Sequence, residues 1–213
     1  MNYLADFEKS LWEKGYSDIM GIDEVGRGCL AGPLVAAGVI WDQNEVLKIE
    51  EIPELYELLL GIKDSKKLTE NRRIVLSDFI IKYSKVHEIV EIDSSEIDRI
   101  GIISANVSAF NILVNRINHD YAVSDFVLMK RNQTFDKKID MIVKGEESSL
   151  SVASASIIAK VYRDKLMKEK YHELYPKYDF KSHVGYGTKH HIEAIKRFGY
   201  SDIHRKSFKI NFT

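Results

Sequence analysis

Cysteine is almost missing from this chain, proline is scarce, and no long apolar run occurs. One cysteine, Cys29, among 213 residues rules out an internal disulfide framework and any cysteine-rich zinc site. Three prolines and twelve glycines are too few for a collagen-like or low-complexity chain. No stretch reaches the run of about 18 apolar residues that a spanning helix needs. Asp6, Glu8 and Lys9 interrupt the only stretch near the N-terminus that could serve as a signal peptide, so a cytosolic protein without membrane contact is expected. What is present, 45% hydrophobic and 30% charged residues, suits one compact domain with room for a small appended part.

The formal net charge of -1 conceals a split. Residues 1–159 hold 18 Lys/Arg against 26 Asp/Glu, whereas residues 160–213 hold 13 against 6. His172, His183, His190, His191 and His204, five of the seven histidines, fall in the second region. Such an asymmetry suits an enzyme of anionic polymers, with carboxylates gathering metal and a basic segment gathering phosphate. Solvated helices with a chance excess of charge would look the same.

The apolar pattern predicts a mixed α/β fold. Ile19-Met20-Gly21-Ile22 reads as the end of a buried strand broken by Asp23-Glu24, and Pro33 to Trp41 as a second strand, joined through Gly26-Arg27-Gly28. Residues 42–68 read as polar loops around a short helix at Leu55–Leu60, entered after Pro53. A helix follows Thr69, then a strand from Val86 to Ile92, a short helix capped by Ser94 or Ser95, and a helix from about Ser104 to Tyr121. Phe126-Val127-Leu128-Met129 and Ile139 to Val143 read as strands, residues 151–173 as the strongest helix, stopped by Pro176, and Lys189 to Phe198 as the last.

Asp23-Glu24 is the first feature that could carry chemistry. Neighbouring strand residues point to opposite faces, so both carboxylates reach one metal only if the strand bends or ends there; an acidic turn is the plainer reading. Asp164 is the second. It continues the apolar line Ile157, Val161, Asp164, Lys168, and a carboxylate facing a core needs a partner: a metal, or Arg163, Lys160 or Lys168 in a salt bridge. Carboxylates from separate elements are hard oxygen ligands suited to Mg²⁺ or Mn²⁺ and to two-metal phosphodiester hydrolysis. His190-His191 lacks the spacing and the glutamate of a zinc-hydrolase helix, which leaves a zinc hydrolase, or a structural scaffold, as a remote reading. Cys29 reads as a small buried residue rather than a reactive thiol.

Five segments in order are similar to the ribonuclease HII (type 2 ribonuclease H) family. They are Gly21-Ile22-Asp23-Glu24-Val25-Gly26-Arg27-Gly28 with Leu30-Ala31-Gly32-Pro33, then Asp64-Ser65-Lys66-Lys67-Leu68, then Ser154 through Asp164, His183 through His191, and Ile203 through Phe208. The resemblance implies a ribonuclease H-like mixed β-sheet flanked by helices, with a small C-terminal helical part. Residues 1–173 would form the catalytic domain and 174–213 a substrate-binding segment packed on it. It implies a monomeric, Mn²⁺- or Mg²⁺-dependent endonuclease. Its substrates would be RNA:DNA hybrids and duplex DNA with an embedded ribonucleotide, leaving 5′-phosphate and 3′-hydroxyl ends.

By the same resemblance, Asp23, Glu24 and Asp164 take metal-binding places, and Gly26, Arg27 and Gly28 read the ribose 2′-hydroxyl. Tyr186 takes the place of an aromatic packed on the neighbouring deoxyribose, with a core or loop-anchoring tyrosine as its plainer role. Lys66, Lys67, Lys189 and Arg205 take phosphate contacts. Lys130, following the strand expected at residues 126–129, stands where the family carries a fourth carboxylate, and Glu146 follows Gly145 where aspartate is common. A protonated lysine cannot ligate a cation, which opens an alternative: a catalytically weak or inactive homologue that binds RNA:DNA junctions.

Overall fold

Strand alternation divides the apolar residues of the sheet between two cores. In the computed structural model, which describes residues 4–62, 68–125, 127, 129–130 and 133–210, β1 (Ile19–Val25) and β2 (Leu34–Ile40) form an antiparallel hairpin. Ile19, Val35, Ala37 and Val39 point into one core, and Met20, Ile22, Leu34, Ala36 and Ile40 into the other. β3 (Val86–Ile92) pairs antiparallel with β2, while β4 (Tyr121–Asp125) and β5 (Asp140–Ile142) run parallel to β1, giving the order β3-β2-β1-β4-β5. A mixed sheet with helices on both faces is the expected class.

The first core lies under α1 (Ala5–Trp12), α2 (Gln43–Glu50), α3 (Pro53–Leu60), α4 (Glu70–Tyr83) and α8 (Leu150–Leu166); the second under α5 (Ser94–Ile100) and α6 (Ile102–Arg116). α8 sits directly on β1. A Cβ at Gly21 would come within 2.2 Å of the Ser151 and Val152 backbone, so only glycine there lets the helix approach so closely. The Ser149 hydroxyl caps α8 by accepting from the Val152 N–H at 3.2 Å. The fully buried Glu8 of α1 adds to that cap, accepting from Ser149 Oγ at 2.6 Å, Ser151 N at 2.9 Å and Leu150 N at 3.2 Å.

Beyond α8 the helix continues as a π-helical stretch, Met167–Tyr171, and α9 (His172–Leu174), and it stops before Pro176, which lacks an N–H to continue it. α10 (Phe180–His183) and α11 (Lys189–Phe198) close a third core, where Tyr178, Phe180, Val184, Ala194 and Ile195 pack with Ala31 and Met167.

Several expectations are corrected. β1 runs on through Asp23 and Glu24 to Val25, because Ala36 and Ala37 opposite them continue the ladder. α1 and α2 fall where only loops or nothing was read; α2 is capped by Asp42, which accepts from Asn44 N and Glu45 N. Asp93, rather than Ser94 or Ser95, caps α5, accepting from Glu96 N at 2.8 Å. A strand is described at residues 121–125, five residues before the expected position; of the four residues expected as strand, Phe126 and Leu128 lie outside the described residues, and Val127 packs in the second core. Among the described residues no single helix is long and apolar enough to cross a membrane; the bent pair α5–α6 passes only jointly, and its apolar side is core.

Candidate active site

Four carboxylates meet at the end of β1. Carried one residue past the pair Ile22 and Ser124, the parallel register of β1 and β4 sets Asp125 beside Asp23. Gly145, opening α7 (Gly145–Ser148), packs against the same strand end: a Cβ there would stand 3.0 Å from the Asp125 nitrogen. That contact delivers Glu146. Burial pushes the Asp23 pKa well above the usual carboxylate range; repulsion from Glu24, and to a lesser degree Glu146, pushes the same way, against hydrogen bonds from Ser156 and the Glu24 N–H. Burial also raises Glu24, opposed by Arg27 and Asn106 and reinforced by Asp125. Asp23 and Glu24 thus both hold their protons more tightly because of burial and neighbouring negative charge.

The faces differ as alternation requires. Asp23 turns toward α8, where Ser156 is its partner, and Glu24 toward α6 and Asn106. Among the described residues no three His, Cys, Asp or Glu side chains already enclose one point. The donor chemistry nevertheless fits a hard divalent cation: carboxylate oxygens from three elements, like-charged and mutually repelling, without thiolate or imidazole among them.

Asp164 does not join this group. It is eight residues, or about 12 Å along the helix axis, beyond Ser156, and its carboxylate takes a salt bridge from Lys160 at 2.8 Å. The salt-bridge alternative is therefore the one realised. Lys130 is exposed, its Nζ 3.4 Å from the Ile100 carbonyl at the α5–α6 junction. Asp136 is held by the Asn111 and Asn115 side chains.

Beside the carboxylates, four sequence motifs are tied into one unit by two buried arginines that themselves belong to two of them. Arg163 donates to the carbonyls of Pro33, Ala31 and Val184 at 2.9–3.0 Å. Arg205 donates to Gly26, Arg27 and Gly32 carbonyls at 2.7–3.1 Å. Arg205 is fully buried, its pKa drawn down to about 10 by that burial, so its expected phosphate contact is corrected: it holds the Gly26-Arg27-Gly28 loop from behind. Gly26 has φ +93°, and a Cβ on it would strike the Arg163 Nε at 2.4 Å. Nothing lies within 4 Å of a Cβ built on Gly28, which leaves its outer side open. Arg27 reaches back to Glu24 at 3.3 Å.

Tyr186 stands at the rim, 38% exposed, with Lys160 Nζ 5.4 Å from its ring centroid. Its hydroxyl pairs with the buried Cys29 thiol, and burial raises the pKa of both groups. Lys189 projects into solvent from the first turn of α11. Lys66 and Lys67, with residues 63–65, lie outside the described residues. His183, His191 and His204, read as part of a phosphate-gathering region, are buried instead. With the strand read at residues 126–129, Asp125 was not among the expected site residues, and Glu146 was noted only as following Gly145 where aspartate is common; reading Tyr121 to Asp125 as the strand would have found the first, and the Gly-Glu step before α8 the second.

Fold and site together define a nuclease of the ribonuclease H-like class. The family model "Ribonuclease HII" matches residues 20–211. Ribonuclease HII of Clostridium beijerinckii is 45% identical over 207 residues, covering 96% of this chain and 72% of that one. The crystal structure of ribonuclease H2 from Pyrococcus horikoshii OT3 superposes with a TM-score of 0.71 at 25% identity, covering 90% of this chain and 94% of that one. Bst-RNase HIII in complex with Mn²⁺ shares the fold, with a TM-score of 0.61 at 20% identity over 86% of this chain and 63% of that one. The chain belongs to the ribonuclease HII family, and it is an endonuclease acting on RNA in RNA:DNA hybrids and on ribonucleotides within DNA.

Proposed function

We propose that cleavage at the ribonucleotide depends on Mg²⁺ or Mn²⁺ held by Asp23, Glu24, Asp125 and Glu146, leaving 5′-phosphate and 3′-hydroxyl ends. The observation that carries this is the nearness of Asp23 and Glu24, buried at the end of β1, to each other, to Glu146 beside Asp23 and to Asp125 beside Glu24. A bound divalent ion supplies an activated water and neutralises charge on the phosphate. The residues of the chain orient and select. The Gly26-Arg27-Gly28 loop, open at Gly28 and braced by Arg205, offers backbone groups to the 2′-hydroxyl, the donor and acceptor that marks RNA. Tyr186, at the rim, stacks against the adjoining deoxyribose, and Lys189, with Lys66 and Lys67 of the second motif, meets phosphates.

In this reading residues 1–173 carry catalysis and 174–213 bind substrate, in a cytosolic monomer. The alternative of a catalytically weak or inactive junction binder rests on Lys130 standing where the resemblance puts a fourth carboxylate; in the reading proposed here Asp125, at the close of β4, supplies that charge. The test is cleavage of duplex DNA containing one ribonucleotide with and without Mn²⁺. Asp23→Asn is expected to abolish metal-stimulated cutting while duplex binding survives; unchanged cutting would refute the assignment.

A further inference from the structure

Four buried side-chain atoms among the described residues lack a hydrogen-bond partner, and two of them belong to Asn106. Asn106 is 1% exposed on the side of α6 that packs on the sheet, among Ala105, Ala109, Phe110 and Leu113. Buried amides are nearly always paired, because desolvating a donor or acceptor without replacing its water costs free energy. A leucine, branched in the same way, would carry no unmet group, so the amide needs a reason. Alternation puts Glu24 on the Met20 and Ile22 face of β1, which is the face α6 covers. The amide is near enough to Glu24 to oppose the upward push of burial on its pKa, although neither amide atom has a hydrogen bond of normal geometry.

We propose that Asn106 is a positioning residue of the cation site, its Nδ2 steadying the Glu24 carboxylate and its Oδ1 accepting a hydrogen bond from water carried by the ion. This rests on the cation reading above. Mg²⁺ sheds water reluctantly, and such waters need acceptors in a buried site. The role differs from that of a ligand: Asn106 sets where Glu24 and the water stand.

The test uses the full chain and Mn²⁺ alone as probe, with free Mn²⁺ followed by electron paramagnetic resonance, alongside cleavage kinetics. Asn106→Leu is expected to weaken Mn²⁺ binding about tenfold and to lower kcat at saturating Mn²⁺ by at least as much. KM for the duplex and melting without metal should hold or improve. Asn106→Ser, which keeps a donor and acceptor and leaves space for water, is expected to recover most of the affinity; Asn106→Ala gives the same loss as leucine if leucine prevents folding. Leucine or alanine variants that bind Mn²⁺ and turn over like the parent, while Asp23→Asn loses the ion, would overturn the Asn106 assignment alone. Mn²⁺ binding untouched by Asp23→Asn would overturn the cation reading and this inference with it.

Discussion

Asp125 and Lys130 are five residues apart in sequence and belong to different surroundings. Asp125 closes β4 against Asp23, Glu24 and the start of α7; Lys130 is exposed beside the Ile100 carbonyl. Asp125→Asn is therefore expected to cut kcat by about 10²–10³, the usual cost of removing one group from a preorganised charge-stabilising site, with thermal stability kept or raised as repulsion is relieved. Lys130→Ala should stay within about threefold of the parent. Single-turnover cleavage of the same duplex compares the two. Arg205 acts by different physics: a methionine in its place would strand several buried carbonyls at about 1–3 kcal/mol each. Arg205→Met is expected to lower the urea midpoint markedly and to loosen 2′-hydroxyl selectivity in whatever folds. A parent-like midpoint would show that Arg205 is not the brace of the loop.

At the scale of elements, two buried polar arrangements decide where segments sit. Glu8 joins α1 to the start of α8 through three hydrogen bonds. Glu8→Ala is expected to cost about 2–3 kcal/mol in denaturant unfolding, since it orphans buried N–H groups; a loss below about 0.5 kcal/mol would contradict the capping role. The other is a chain of imidazoles. Ser201 N–H donates to His204 Nδ1 at 2.9 Å, so His204 carries its proton on Nε2 and donates to His191 Nε2 at 3.0 Å, and His191 Nδ1 donates to the Tyr186 carbonyl at 2.9 Å. Every nitrogen is assigned with both rings neutral, and burial holds both pKa values down to about 4. An unfolded chain takes up protons below about 6.5 while the folded one does not until near 4, so stability is full above 6.5 and falls as pH drops through that window. Urea midpoints between pH 7 and 4.5 should show this fall, and His191→Gln should flatten it.

These elements also show what the sequence disclosed. β3, α4 and α11 were legible because a two- or 3.6-residue period ended at a recognisable cap or glycine, as at Thr69, Thr188 and Gly199. β4 was misread because the apolar run at residues 126–129 outweighed Tyr121 to Asp125, where Ser124 is buried in the sheet with its hydroxyl satisfied by the Asp125 carbonyl. The carboxylates Asp23 and Glu24 were legible as a pair. Glu146 and Asn106 were not, since their value comes from packing across more than eighty residues of chain. Arg205, inside a recognised motif, looked like a phosphate contact, and only burial separates it from the exposed Lys189.

At the scale of the whole molecule, charge is divided between an acidic body and a basic C-terminal region. Duplex binding should weaken with salt as counterions return to the phosphates, and Lys189→Ala should reduce the slope of log affinity against log salt by about one if it meets one phosphate. The claim that ties the scales together is that Asp23, Glu24, Asp125 and Glu146 form one cation-dependent cutting site at the end of β1. Cleavage of a labelled duplex with a single ribonucleotide, titrated with Mn²⁺ for the parent, Asp125→Asn and Lys130→Ala, tests it most directly. The account predicts metal-dependent cutting at the ribonucleotide by the parent and Lys130→Ala and near loss in Asp125→Asn. Full activity in Asp125→Asn, with loss in Lys130→Ala, would contradict it.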